Sequence, residues 1–148
     1  MATEVQPSPP AWSTPPRWRR VVAPLATIGT LAAATLALHL RDPHVQHSWG
    51  FCPLFAMTGL YCPGCGGLRA TNDLSNADLL GAMQSNLLFV LFVPVIVWAL
   101  LGWTRARWQG RTYDPPVLGS ERFAYLTLGL LLVFFVLRNL PGFDWLNP

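Results

Sequence analysis

Three stretches of this chain are so long and so apolar that each must lie either in a hydrocarbon layer or in a buried core. They are VVAPLATIGTLAAATLALHL (21–40), uncharged with His39 near its end; LLFVLFVPVIVWALLGW (87–103), which extends backwards through 79–86; and FAYLTLGLLLVFFVLRNL (123–140), charged only at Arg138. Each supplies about the 17–25 residues that a ~30 Å hydrocarbon layer requires. None shows the one-sided apolar stripe of a helix at the surface of a soluble domain. The pattern argues for membrane spans rather than core helices. Only 11% of the residues are charged, against roughly 25% in soluble domains.

The expected fold is therefore an all-α membrane protein with three transmembrane helices, at about 21–40, 82–103 and 123–140. Residues 1–16, MATEVQPSPPAWSTPP, are expected to form a disordered proline-rich tail, since they carry too little apolar surface to order themselves. Residues 17–148 then make a single membrane domain. The first apolar run exceeds the 7–15 residues of a signal h-region, roughly speaking, and no small-x-small site follows it, so a retained anchor is expected.

All ten basic residues are arginine. Arg17, Arg19, Arg20, Arg105, Arg107, Arg111 and Arg122 flank one side of the three spans, whereas Arg41, Arg69 and Arg138 flank the other. The positive-inside rule places the first group in the cytoplasm. The expected topology is a cell-membrane protein with its amino terminus cytoplasmic and both the loop 41–75 and the carboxyl terminus extracytoplasmic. Trp18, Trp49, Trp103, Trp108 and Trp145 sit near span ends, where indoles favour the interface; Trp98 falls inside the second span and is expected to pack. Pro94 predicts a kink there, while Pro24 falls in the first turn of its span. A nucleic-acid partner would require a basic stripe, and none exists.

The loop 41–75 holds every cysteine of the chain: Cys52, Cys62 and Cys65, the last two in Cys-Pro-Gly-Cys-Gly. GGLRATNDL (66–74) predicts a short helix, and SNAD (75–78) fits a capping box in which Ser75 caps and Asp78 reaches back. The loop is thus a small extracytoplasmic helical cap carrying the cysteine knuckle. Three chemistries fit it. Cys52 bridged to Cys62 or Cys65 would close a loop worth about 3 kcal/mol in the chain-entropy model, leaving one thiol over. Zinc would take Cys52, Cys62 and Cys65, with His47 or His44 as a fourth ligand. Cys62 and Cys65 at the start of the short helix would suit thiol–disulfide exchange, with thiolates stabilised by helical N–H groups and Arg69 one turn on.

Arg69 is four residues from Asp73, so the two can pair along the helix; the alternative is that Arg69 binds an anionic headgroup or a partner carboxylate. Asn86 and Gln84 lie at the outer mouth of the second span, where amides bond other helices. No phosphate-cradling loop, serine elbow or intramembrane carboxylate pair is present.

The stretch from Cys52 to Asn86 resembles the bacterial domain-of-unknown-function 2752 family of small membrane proteins. The resemblance rests on Cys52-Pro53, Thr58-Gly59, Cys62-Pro63-Gly64-Cys65-Gly66, Arg69, Asp78 and Asn86. It implies that Arg69, Asp78 and Asn86 belong to the same site as the cysteines, and it implies no established activity. Two positions depart from the family pattern. Gly67-Leu68-Arg69 stands for the usual Leu-Thr-Arg, and Leu87 stands for the proline after the asparagine, which suggests a straighter entry into the second span.

The functional expectation is a non-catalytic membrane component or partner-binding subunit whose cap is held by a disulfide or zinc. Its partners would be the lipid bilayer and another membrane protein or a second copy. The alternative is an extracytoplasmic thiol–disulfide oxidoreductase using Cys62 and Cys65.

Overall fold

In the computed structural model the described residues are 16–45, 48–49, 52–115 and 118–147. The tail 1–15 and His47 lie outside them. The described residues are helical with no strand: α1 (Arg17–Leu40), α2 (Pro53–Thr58), α3 (Gly67–Ser75), α4 (Leu79–Gln109), α5 (Glu121–Arg138) and a terminal 3-10 turn, Asp144–Leu146. α1 packs on α3 and α4, α3 packs on α4, and the terminal turn rests on α4.

Two helices, α1 and α4, are long and apolar enough to cross a membrane, rather than the three expected. The third apolar segment does form a helix, but α5 has only 18 residues and includes Glu121, Arg122 and Arg138. The large apolar side chains of α1, α4 and α5 point mostly outward; Leu25, Leu36, Leu91, Leu101, Leu126 and Leu132 are all more than half exposed. Helices buried in a soluble core would hide those side chains, so the outward leucines count against that arrangement. Trp98 is exposed too. It faces away from the other helices rather than packing between them.

The helix boundaries differ from the expected ones where capping decides. α1 begins at Arg17, so Pro24 is eight residues in and buried rather than in the first turn. α4 is capped by Asp78, whose carboxylate accepts from the Gly81 N–H at 2.9 Å. Ser75 is instead the last residue of α3, and its hydroxyl donates to the Asn72 carbonyl at 2.7 Å. A tight turn through Ala77 (φ 61°) separates the two helices.

α4 breaks at Asn86, not at Pro94. Asn86 has φ −161° and ψ 92°, the one non-helical pair inside the helix. Its side-chain Oδ1 accepts from the Phe89 N–H at 2.9 Å, which is the bond of an N-cap residue. Asn86 therefore ends the helical segment 79–85 and starts a second one, 87–109. That segment is about 34 Å long at 1.5 Å per residue, close to a hydrocarbon thickness. The entry is bent despite Leu87, because the asparagine itself makes the break. Position 87 is the first helical residue after a cap, the slot in which proline is well tolerated.

The small core lies at the same end as the cysteines. Leu88, Phe134 and Leu146 are buried together, with Phe92, Leu131, Leu137 and Phe143 against them. This cluster joins α4, the last turns of α5 and the terminal turn. The carboxyl end of α1 is tied to the same region, where Asn72 Nδ2 donates to the Leu38 carbonyl at 2.7 Å. His39 Nδ1 lies 3.1 Å from the Ser75 hydroxyl.

Candidate metal centre

Each cysteine is placed by a different local device. Cys52 is the N-cap of α2, with Pro53 at the first helical position. α2 ends at Gly59, whose φ of 71° is left-handed and reverses the chain. The backbone then runs back through Tyr61 to Cys62. The Cys65 N–H donates to the Cys62 carbonyl at 3.1 Å, closing a turn over Pro63 and Gly64. Gly66, φ 80°, follows it and leads into α3. The left-handed conformation there disfavours any side chain, which explains the glycine after the second cysteine.

The three Sγ atoms all lie within 4.8 Å of one another. Cys52 and Cys62 are 3.7 Å apart and Cys62 and Cys65 are 3.0 Å apart; all three are free thiols. Four sulfurs around zinc at about 2.3 Å would be about 3.8 Å apart. One edge of the triangle fits that spacing, and the other needs to open by less than an ångström. The donor set, three soft thiols, fits zinc and other thiophilic ions.

The thiols are not equivalent. Burial, then hydrogen bonds from Cys65 to Cys62 and Cys52, pushes the Cys65 pKa up to about 12. The backbone N–H of Phe55, then the Cys65 thiol, holds Cys52 below its ordinary value. The low thiol is thus the one at the start of α2. The start of α3, expected to activate the Cys-x-x-Cys pair, is two residues beyond Cys65 and leaves it fully protonated at neutral pH.

The loop 61–65 is held from behind by side chains of α4 and α5. Asn86, 1% exposed, donates through Nδ2 to the carbonyls of Pro63 (2.9 Å) and Cys65 (3.0 Å). Arg138, also 1% exposed, donates through Nη1 to the carbonyls of Cys62 (3.2 Å) and Cys65 (2.8 Å), and through Nη2 to that of Ser85 (3.2 Å). Asn139 reads the Tyr61 backbone on both sides. Its Oδ1 accepts from the Tyr61 N–H at 2.9 Å, and its Nδ2 donates to the Tyr61 carbonyl at 3.0 Å. Sequence reasoning nominated Asn86 but neither Arg138 nor Asn139. An ionisable residue inside an apolar segment, with no acid three or four residues away, was the available signal.

The remaining nominated residues lie off this centre. His44 points both ring nitrogens at carboxylates, Nδ1 at Asp42 (2.8 Å) and Nε2 at Asp73 (3.3 Å), so it is engaged away from the sulfurs. Asp73 also accepts from the Ser85 hydroxyl at 2.8 Å. It pairs with His44 and Ser85 rather than with Arg69. Arg69 Nε instead reaches the Pro43 carbonyl at 3.5 Å. Asp78 serves as the cap of α4, and His47, the other nominated fourth ligand, falls outside the described residues.

Residues 52–100 match the model of a family described as "Protein of unknown function (DUF2752)", and the match supports membership of that domain family. The matched segment holds the three cysteines and Asn86 and stops short of Arg138. Neither a curated protein nor a solved structure matches the chain.

Proposed function

We propose that this member of the DUF2752 family is an integral membrane protein whose cap is a three-thiolate metal centre, built for zinc, that presents a fixed surface to a partner membrane protein. The observation that carries this reading is the convergence of Cys52, Cys62 and Cys65, from three separate turns of backbone, to within 4.8 Å. Three thiols that close would be idle in a cap held only by packing, and among the described residues few cap side chains are buried: Cys65, Ala70, Asn72 and Asp73. A zinc ion would supply the missing cross-link.

α5 serves as a third crossing in this reading. Its last turn lies beside the cysteine loop, at the same end as the start of α4 and the end of α1, which is where an up–down–up path delivers it. Its 18 residues span about 27 Å, enough for a slightly thin hydrocarbon layer. The arginine distribution then puts the amino terminus in the cytoplasm and the cap outside. A reporter fused after residue 148 that works only in the cytoplasm would refute this path.

The test is the metal and thiol content of the full chain extracted in mild detergent. Zinc at one equivalent per chain, with three alkylatable cysteines after denaturation with a chelator, is the expected result. No metal and a single alkylatable cysteine would overturn it in favour of a disulfide-held cap. A second reading is favoured by the 3.0 Å separation of Cys62 and Cys65: exchange of this dithiol with a substrate disulfide, two thiols being oxidised as one disulfide is reduced. It predicts turnover of a model disulfide that vanishes in Cys62→Ser at unchanged protein levels.

A further inference from the structure

Arg138 is a full positive charge buried where no carboxylate meets it. Its side chain is 1% exposed, and among the described residues the ion pairs with carboxylates involve His44 alone. Its Nη atoms reach three backbone carbonyls, but Nε–H has no partner. The rings of Tyr61 and Phe134 flank the guanidinium, at 5.8 and 5.3 Å from its carbon. Such rings and carbonyls offer only partial negative charge. An ion buried in this way is strongly unfavourable unless an anion completes the site, and arginine does not shed its proton to escape.

The groups able to carry negative charge that face this guanidinium are Cys65, Cys62 and Tyr61. Two of them belong to the sulfur triangle, and they are the residues whose carbonyls Arg138 already holds. Three thiolates on a divalent ion carry a net charge of −1. Adding the guanidinium brings the buried assembly to zero.

We propose that Arg138 is the counter-charge and loop-positioning residue of the cysteine centre, which it completes as a neutral assembly when a divalent thiophilic ion binds. The inference rests on the metal reading above and adds to it both the charge class of the ion and the helix that senses it. Binding is a proton–metal exchange. Each bound thiol loses its proton to solvent as a sulfur–metal bond forms, and no electrons move. Arg138 acts through the thiolates and the Cys62 and Cys65 carbonyls; it does not touch the ion. Because it sits on α5, outside the matched family segment, the last helix is docked onto the cap by charge only when the centre is loaded.

The experiment uses the full chain in detergent micelles, stripped with a chelator and reloaded with Co²⁺ as a spectroscopic stand-in for zinc. A thiolate-bound cobalt gives a sulfur-to-metal charge-transfer band, and a cation beside the sulfurs holds their electrons more tightly. Arg138→Met is expected to shift that band to lower energy and to weaken zinc binding, measured by chelator competition, about 10–100-fold, the range for residues that orient metal ligands. Arg138→Lys, which keeps the charge and loses the fork, should leave the band in place and recover much of the affinity. If Arg138→Met does not fold, Arg138→Gln against Arg138→Lys makes the same comparison of neutral with charged. A neutral variant with an unshifted band and zinc affinity within twofold of wild type overturns the proposal and leaves the metal centre standing. A wild-type chain with no charge-transfer band and no zinc overturns both.

Discussion

Replacing Asn86 by alanine is the sharpest test of how this cap is held. The side chain makes three hydrogen bonds at 2.9–3.0 Å from a position 1% exposed. Their loss is unequal. The Cys65 carbonyl keeps Arg138 as a donor, so only the Pro63 carbonyl and the Phe89 N–H lose the sole partner these contacts give them. Orphaning a buried polar group costs about 1–3 kcal/mol, so two give about 2–6 kcal/mol. Relaxation of the kink into a continuous helix would recover part of that by giving Phe89 a helical acceptor. The expected loss is then about 3 kcal/mol, which includes the ~1 kcal/mol of a lost N-cap. Asn86→Asp separates the two roles, since it keeps an acceptor for Phe89 but no donor for the loop. The assay is denaturant or thermal unfolding of the chelator-treated chain in micelles, with cysteine alkylation rate as a local probe of the loop. Asn86→Asp should unfold like the alanine variant at the loop while retaining helix content. An alanine variant within 0.5 kcal/mol of wild type, a threshold set by the ±0.5 spread of neutral surface changes, would refute the claim that α4 holds the loop through this side chain.

Two further outcomes follow from the loop itself. Gly66→Ala places a Cβ at φ 80°, which costs about 1–2 kcal/mol; metal affinity should fall with stability, and unchanged melting would show that the turn is not required. In metal-free protein, Cys52 should alkylate at lower pH than Cys65, because the Phe55 N–H stabilises the Cys52 thiolate whereas burial keeps the Cys65 proton up to about 12. The linkage sign follows: an unfolded Cys65 loses its proton above its ordinary value of 9.0, the folded one only near 12, so apo stability should fall as pH rises through that window. Peptide mapping of partially alkylated protein checks the order, and prior labelling of Cys65 would contradict it.

The helices were legible because length and apolarity are local properties, and α1, α4 and α5 each overlap the stretch expected of them. The cysteine cluster was legible for the same reason, since 14 residues of chain cannot carry Cys52 and Cys65 far apart. What escaped was whatever depends on contacts across the chain or on a choice between adjacent caps. Arg138 lies 73 residues from Cys65 and reads in sequence as one charge at a span end. SNAD offers two acceptable caps, and the turn at Ala77 selects Asp78 over Ser75. Pro94 was expected to bend α4, yet a proline inside a helix removes one donor without dictating a new backbone direction. Asn86 does dictate one, because its amide bonds forward to Phe89 and backward to the loop at once. The charge spacing of Arg69 and Asp73 suggested an ion pair, but His44 reaches Asp73 from outside the helix, and no pattern within α3 encodes that.

The loop 61–65 is thus a short segment gripped by two helices, Asn86 on α4 and Arg138 with Asn139 on α5. A segment held at both ends behaves as one unit only if each grip needs the other. Asn139 grips Tyr61 through two bonds of 2.9 and 3.0 Å that imitate a strand pair, at a net worth of about 1–3 kcal/mol together. Once Asn86 is gone, the Pro63–Cys65 side of the loop is free to move, and Asn139 then restrains a segment that has already lost its shape. The double variant Asn86→Ala/Asn139→Ala should therefore lose less than the sum of the single losses, with a coupling of about 0.5–3 kcal/mol, read from the same unfolding measurements. Strict additivity would mean that α4 and α5 hold independent pieces of backbone. In that case a change at α5 could not be felt at the sulfurs through the loop, and only the charge of Arg138 would connect them.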